Sequence, residues 1–113
     1  MSYWPPAGVP EIEVDELDQA RAQGAPLIDV REPEEFQAVH VPGAVLVPLG
    51  DVMARVDEVP RDQPVYVICA SGQRSARATQ WFRSQGIDAY NVAGGTKAWV
   101  ESGKPTAHGL DPS

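Results

Sequence analysis

A single cysteine, Cys69, stands in the run Val65-Tyr66-Val67-Ile68-Cys69-Ala70-Ser71-Gly72-Gln73-Arg74-Ser75-Ala76. The residues before it read as a buried strand that ends at Cys69. Ser71 and Gly72 then make a short turn, and a helix begins near Arg74 or Ser75. The backbone amides of such a turn can point inward as a concave anion site, and the helix start adds partial positive charge. Gly72 permits a backbone conformation that a Cβ would hinder. Arg74 adds a full positive charge, and no Asp or Glu occurs from residue 63 to residue 87. Each of these effects favours a thiolate and lowers a thiol pKa from its free value of ~8.5. The thiolate is the nucleophilic form. The pattern therefore points to a reactive Cys69 in a loop, Ala70, Ser71, Gly72, Gln73, Arg74 and Ser75, that suits an anion. A lone cysteine at the end of an apolar strand is also the usual form of an inert core residue. The turn, arginine and helix that follow Cys69 favour the reactive reading. A nucleotide-phosphate loop has no support, because G-x-x-x-x-G-K-[ST] does not occur.

Asp29, Arg31 and His40 are the other side chains that invite catalytic readings. Each has a structural role that accounts for it first. Asp29 closes a strand and can accept from nearby backbone amides. Arg31 can pair with a neighbouring carboxylate. His40 precedes a Val-Pro-Gly turn and can fix it. No metal site is expected, since one cysteine and two histidines are scattered and His108 lies near the end. No cofactor is called for.

The elements that must position Cys69 follow from short apolar runs alternating with helix-like stretches. Ile12–Val14, Leu27–Val30, Val45–Val47, Val65–Ile68 and Ala89–Val92 read as strands. Most are continuously apolar or β-branched, which suits burial on both faces of a parallel sheet. Asp15–Gln23, Pro33–Val39, a segment capped by Asp51 through Val52, Met53 and Val56, Ser75–Gln85 and Gly95–Glu101 read as helices. Pro33 with two glutamates behind it suits a helix start. Ala78, Trp81 and Phe82 fall on one helix face, and Gly86 can end that helix. The expected architecture is an α/β domain with a central, mostly parallel five-stranded sheet and helices on both faces. In such sheets reactive groups gather at the carboxyl ends of strands, where Cys69 lies. Residues 1–10, with three prolines, read as a loosely held arm that includes Trp4. The domain proper spans 11–105, and 106–113 read as a mobile tail within a stretch rich in Gly, Pro and Ser from Ser102 onward.

The 113 residues suit one domain, and 42% are apolar, enough for a core. The formal net charge of −7 argues against nucleic acid or an anionic membrane as partner. The charge is divided unevenly: residues 1–62 hold 13 acids and 4 bases, residues 63–113 hold 3 acids and 5 bases. The half containing Cys69 is thus the one suited to an anion. One cysteine cannot form an internal disulfide, which points to a reducing compartment. The N-terminus does not read as a signal peptide, and no apolar run approaches the ~20 residues of a membrane span. The expectation is a cytoplasmic protein.

The Cys69–Ser75 loop resembles the active-site loop of the rhodanese-like family. Leu27-Ile28-Asp29-Val30-Arg31-Glu32-Pro33-Glu34-Glu35-Phe36, with His40-Val41-Pro42-Gly43-Ala44 and Val47-Pro48-Leu49, is similar to its first signature. Val92-Ala93-Gly94-Gly95, Trp99 and Gly103-Lys104-Pro105 resemble its closing segment, so the likeness spans residues 11–105. It implies a doubly wound α/β fold. It also implies that Cys69 takes the outer sulfur of a small anionic donor such as thiosulfate, holds it as a persulfide, and passes it to a thiol, cyanide or protein acceptor. Ala70 to Arg74 would cradle the sulfur through backbone amides. Val39 departs from the glycine often found before the histidine. Four residues separate Cys69 from Arg74, one fewer than in the related dual-specificity phosphatases, and the tighter loop suits sulfur better than phosphate. A phosphatase or arsenate reductase and a non-catalytic interaction module are the alternatives; many modules of the latter kind lack the cysteine.

Overall fold

The computed structural model describes residues 8–113, so Trp4 and most of the expected arm lie outside the described residues. Five strands form one sheet: β1 (Glu11–Ile12), β2 (Leu27–Asp29), β3 (Val45–Leu46), β4 (Val65–Ile68) and β5 (Ala89–Val92). Their order is β1-β5-β4-β2-β3, and every pairing is parallel. Four α-helices flank them: α1 (Val14–Ala22), α2 (Pro33–Ala38) and α3 (Gln73–Ser84) connect strands, and α4 (Gly95–Glu101) follows β5. The α/β class and the helices on both faces are as expected, and the sheet is wholly parallel.

Side-chain alternation along the central strand divides the core in two. Val65, Val67 and Cys69 face one side, packed with Ile28, Val30, Ala78 and Phe82 under α3. Ile68 faces the other, with Leu17, Phe36, Val92 and Trp99 from α1, α2, β5 and α4. Cys69 therefore continues the α3 face of β4, one step beyond the strand. Among the described residues, no helix is long and apolar enough to cross a membrane.

Several boundaries differ from the sequence reading. Glu13 caps α1, and its backbone N–H donates to Glu16 Oε1 at 3.2 Å, so the helix starts at Val14 and the first strand ends at Ile12. α2 stops at Ala38, because Val39 is extended (φ −166°, ψ 138°). β2 and β3 each end one residue earlier than expected, and α3 begins two residues sooner, at Gln73. Asp51 does not cap an α-helix. Its segment forms two 3-10 turns, Leu49–Asp51 and Val56–Glu58, between Pro48 and Pro60. This tight winding lets Val52 and Val59 both enter the core, while Met53 stays exposed.

The end of the chain is docked, which corrects the expectation of a mobile tail. His40 and Ala107 exchange backbone hydrogen bonds of 2.9 Å in each direction. Gly109 N–H donates to Gln37 O at 2.8 Å, and Gly43 N–H to Pro112 O at 2.8 Å. The docking satisfies backbone groups at the end of α2 and just after it, Gln37 O, His40 N–H and O, and Gly43 N–H. Deleting residues 106–113 is expected to cost roughly 1–3 kcal/mol, the net value of a few backbone hydrogen bonds. Thermal melts should show a fall of about 4–8 °C per kcal/mol. A truncated protein that melts with the full-length one would mean the docking contributes nothing.

Candidate functional site

The chain leaves β4 at Ile68 and turns sharply through Cys69–Gly72 before α3 begins. Gly72 caps α3 in the left-handed region, at φ 105°, where a side chain would be strained. Its N–H donates to Cys69 Sγ at 3.1 Å. The Ser75 hydroxyl, one turn into α3, lies 3.3 Å from the same sulfur. The cysteine itself is almost wholly buried.

Three carbonyls of the loop are fastened on the side away from the sulfur. Cys69 O accepts from Thr96 N–H at 2.9 Å and from the Thr96 hydroxyl at 3.1 Å. Ala70 O accepts from Lys97 N–H at 3.0 Å. Gly72 O accepts from Asn91 Nδ2 at 3.1 Å and from Ala76 N–H at 3.2 Å. The first turn of α4 thus supplies its own unpaired N–H groups to the first two loop carbonyls. Gly95 makes this approach possible: a Cβ there would lie 2.5 Å from Cys69 O and 2.6 Å from Ala70 O, and its φ is +59°.

Burial pushes the Cys69 thiol up, but the Ser75 hydroxyl and the amides of Ser75, Gly72 and Ser71 outweigh it and hold the group below the ordinary thiol value. The full positive charge expected of Arg74 lies at the loop, but it is paired. The guanidinium forms a two-pronged ion pair with Glu35, with both N···O distances 2.8 Å. The sequence around Cys69 lacks acids, but the fold brings one in from α2. Glu35 also accepts the Glu32 N–H at 3.1 Å, so one carboxylate caps α2 and ties it to the start of α3. The Arg74 hydrogen bonds hold the Glu35 carboxyl well below its usual range, at about 2.

The structure divides the remaining expected residues into two groups. Ala70, Ser71, Gln73 and Arg74 keep some exposure at the loop, whereas Gly72 and Ser75 are buried beneath it. Ser75 therefore faces the Cys69 sulfur and not the solvent side of the loop. Asp29 and Arg31 form a buried pair, with Arg31 Nη2 2.9 Å from Asp29 Oδ2 and 2.7 Å from Val39 O. Asp29 also accepts the Arg31 N–H, as a strand-closing Asp was expected to do. His40 stacks on Phe36, with ring centroids 3.8 Å apart, and its nitrogens face Phe36 O at 2.9 Å and Pro112 O at 3.1 Å. None of the three contacts the sulfur through a hydrogen bond given by the structure.

Sequence reasoning missed Glu35, Asn91, Thr96 and the role of Gly95. Asn91 carried a readable signal, being a polar residue inside an otherwise apolar buried strand. Beside Ala70 lies a groove of about 410 Å³, walled by Val39, Thr96, Lys97 and Val100. Val39, the departure from the family pattern, thus lines the groove next to the loop. Among the described residues, no group of three or more His, Cys, Asp or Glu side chains could hold a metal ion.

The family model for the rhodanese-like domain matches residues 13–102. A protein of Bacillus subtilis, YqhL, is 43% identical over 86 residues, covering 75% of this chain and 68% of that protein. A protein of Allochromatium vinosum named sulfurtransferase is 34% identical over 100 residues, 86% of this chain and 94% of its own. The crystal structure of a rhodanese-related protein from Thermoplasma volcanium superposes with a TM-score of 0.82 at 28% identity, over 90% of this chain and 99% of that one.

The Arg74–Glu35 strut yields a prediction about pH. A carboxylate whose folded pKa is depressed stabilises the fold above its unfolded value and loses that contribution as pH falls through the folded one. For Glu35 the window runs from 4.5 down to about 2. Both side chains are about a third exposed, so solvent screening limits the coupling to roughly 0.5–1 kcal/mol. A double-mutant cycle of Glu35→Gln and Arg74→Ala, read by urea unfolding, should show this coupling at neutral pH and a smaller one near pH 3. Equal coupling at both pH values would show that the pair contributes no charge-dependent stability.

Proposed function

This chain belongs to the rhodanese-like domain family, and from that premise we propose that it is a sulfurtransferase moving a sulfane sulfur through a persulfide on Cys69. The observation that carries the reading is the pair of donors on Cys69 Sγ, the Gly72 N–H and the Ser75 hydroxyl, in a loop whose carbonyls face away. Preorganised donors of this kind stabilise sulfur that carries negative charge without moving to do so.

With thiosulfate as donor, the Cys69 thiolate attacks the outer sulfur. A new S–S bond forms, the donor's own S–S bond breaks, and sulfite leaves with the electron pair. The negative charge of the nucleophile passes to the terminal sulfur of the persulfide. An acceptor thiolate, cyanide or the nucleophilic group of a protein partner then attacks that terminal sulfur, and Cys69 departs as thiolate. No proton need move between these anions, which fits a site where Asp29, Arg31 and His40 are occupied with backbone and one another. Arg74, held by Glu35, supports the loop; the amides bind the sulfur. The groove beside Ala70, with Lys97 on its wall, gives room for the body of an organic persulfide or a protein acceptor. The four-residue interval between Cys69 and Arg74 favours one sulfur atom over a phosphate group. A single thiol used in this way calls for an external acceptor and a reducing compartment such as the cytoplasm.

The test is intact mass of the reduced protein after exposure to thiosulfate, mercaptopyruvate or an organic persulfide. The wild type should gain one sulfur atom from at least one donor, and Cys69→Ser should gain none. An unchanged wild-type mass with all three donors would favour the non-catalytic binding module.

A further inference from the structure

Ser75 has one hydroxyl proton and two neighbours that could receive it. Its Oγ lies 2.5 Å from Asn91 Oδ1 and 3.3 Å from Cys69 Sγ, and all three residues are buried. The orientation of the Asn91 amide is fixed by its other end. Nδ2 donates to Glu11 Oε2 at 2.8 Å and to Gly72 O at 3.1 Å, two groups that can only accept. Turning the amide over would set Oδ1 against both of those oxygens. Asn91 Oδ1 must therefore face Ser75, where the hydroxyl is the donor within reach.

We propose that Asn91 is a positioning residue that competes with the Cys69 sulfur for the Ser75 hydroxyl proton, holding it while the cysteine is a thiol or a persulfide and yielding it to the bare thiolate. The proposal deepens the sulfurtransferase reading and rests on it for the persulfide state. In the thiol, the S–H can itself donate to Ser75 Oγ, and Ser75 donates to Asn91. In the thiolate, Sγ carries the charge, and the hydroxyl rotates toward it, leaving Asn91 Oδ1 without a donor. In the persulfide, the charge has moved to the terminal sulfur at the loop amides, Sγ is neutral, and the hydroxyl returns to Asn91. No covalent bond changes; the hydroxyl turns about its Cβ–Oγ bond. A buried acceptor left unpaired in one state only raises the free energy of that state. Asn91 thereby penalises the empty thiolate and spares the loaded persulfide, so it biases Cys69 toward carrying sulfur.

The charged groups around this cluster are Glu11 behind Asn91, the Arg74–Glu35 pair at the start of α3, the Asp29–Arg31 pair after β2, and Lys97 on α4. Asn91→Leu removes the competing acceptor and, with it, the Nδ2 donor to Glu11 and Gly72 O, so its effect is read against the same substitution in a Ser75→Ala background. The rate of Cys69 alkylation against pH should then show a midpoint lower by about half a unit to one unit, the worth of one hydrogen bond. A merely structural role for Asn91 gives the opposite sign, because a loosened Gly72 would withdraw its amide from the sulfur. Ser75→Ala alone should raise the midpoint, and Asn91→Leu in the Ser75→Ala protein then shows only what the lost bond to Gly72 O does. An Asn91→Leu shift that is the same with Ser75 present as in the Ser75→Ala background overturns the proposal. The wild type supplies a readout independent of any variant: the Asn91 side-chain carboxamide carbon, followed by NMR, should shift through the Cys69 midpoint and return to its low-pH position on sulfur loading. A resonance that does not move through the midpoint overturns the proposal as well. If no donor loads the protein, the sulfurtransferase reading fails, while the alkylation midpoints still decide whether Asn91 and the sulfur compete.

Discussion

The site depends on where three carbonyl groups point. A peptide turn carries acceptors as well as donors, and a loop that folds around an anion must send its oxygens elsewhere. Here Cys69 O and Ala70 O are taken by the first turn of α4, and Gly72 O by Asn91 and α3. With Ala70 O fastened to Lys97, the Ser71 amide on the same rigid peptide plane turns toward the sulfur, and the fastened Gly72 O holds in place the residue whose own N–H donates to Cys69 Sγ. The parallel sheet makes this arrangement possible by placing β4 beside β5, so that the segment after β5 arrives directly beneath the loop after β4. Gly95 then decides how near α4 can come, because any side chain at that position meets the loop backbone.

Opposing effects act on the Cys69 sulfur. Burial disfavours the charged form, and the hydrogen bonds from Ser75, Gly72 and Ser71 favour it; the bonds prevail. Arg74 contributes chiefly as a strut. Its guanidinium is spent on Glu35, which fixes the first turn of α3 against the first turn of α2. The loop is thus braced from three sides, by α4, by Asn91 on β5 and by α2. Asp29 and Arg31 add a further brace by joining the end of β2 to Val39, next to the groove beside Ala70.

Much of this was legible in the sequence. The strands at 65–68 and 89–92 and the last helix at 95–101 were read with their observed bounds, because continuous apolar runs and glycine punctuation are local signals. The placement of Cys69 on a loop between β4 and α3 followed from the same signals. What could not be read were partners far apart in the chain. The run from 63 to 87 contains no acid, yet Glu35 sits against Arg74 once β2 and β4 pair. The tail composition suggested looseness, but unpaired backbone groups around His40 gave it a place to bind. Asp51 with Val52, Met53 and Val56 suits a capped helix, but the chain winds as two 3-10 turns, with Val52 and Val59 in the core and Met53 exposed.

Carbonyls held away from Cys69 keep the loop in the form whose amides stabilise charge on the sulfur. The measurement that tests this most directly is the pH dependence of Cys69 alkylation in the wild type and in Gly95→Ala, whose added Cβ pushes against Cys69 O and Ala70 O. The wild-type midpoint is expected below the free-thiol value of ~8.5, and that of Gly95→Ala above the wild type's. A wild-type midpoint at or above the free value, or a folded Gly95→Ala protein with an unchanged midpoint, would contradict this role of the carbonyls.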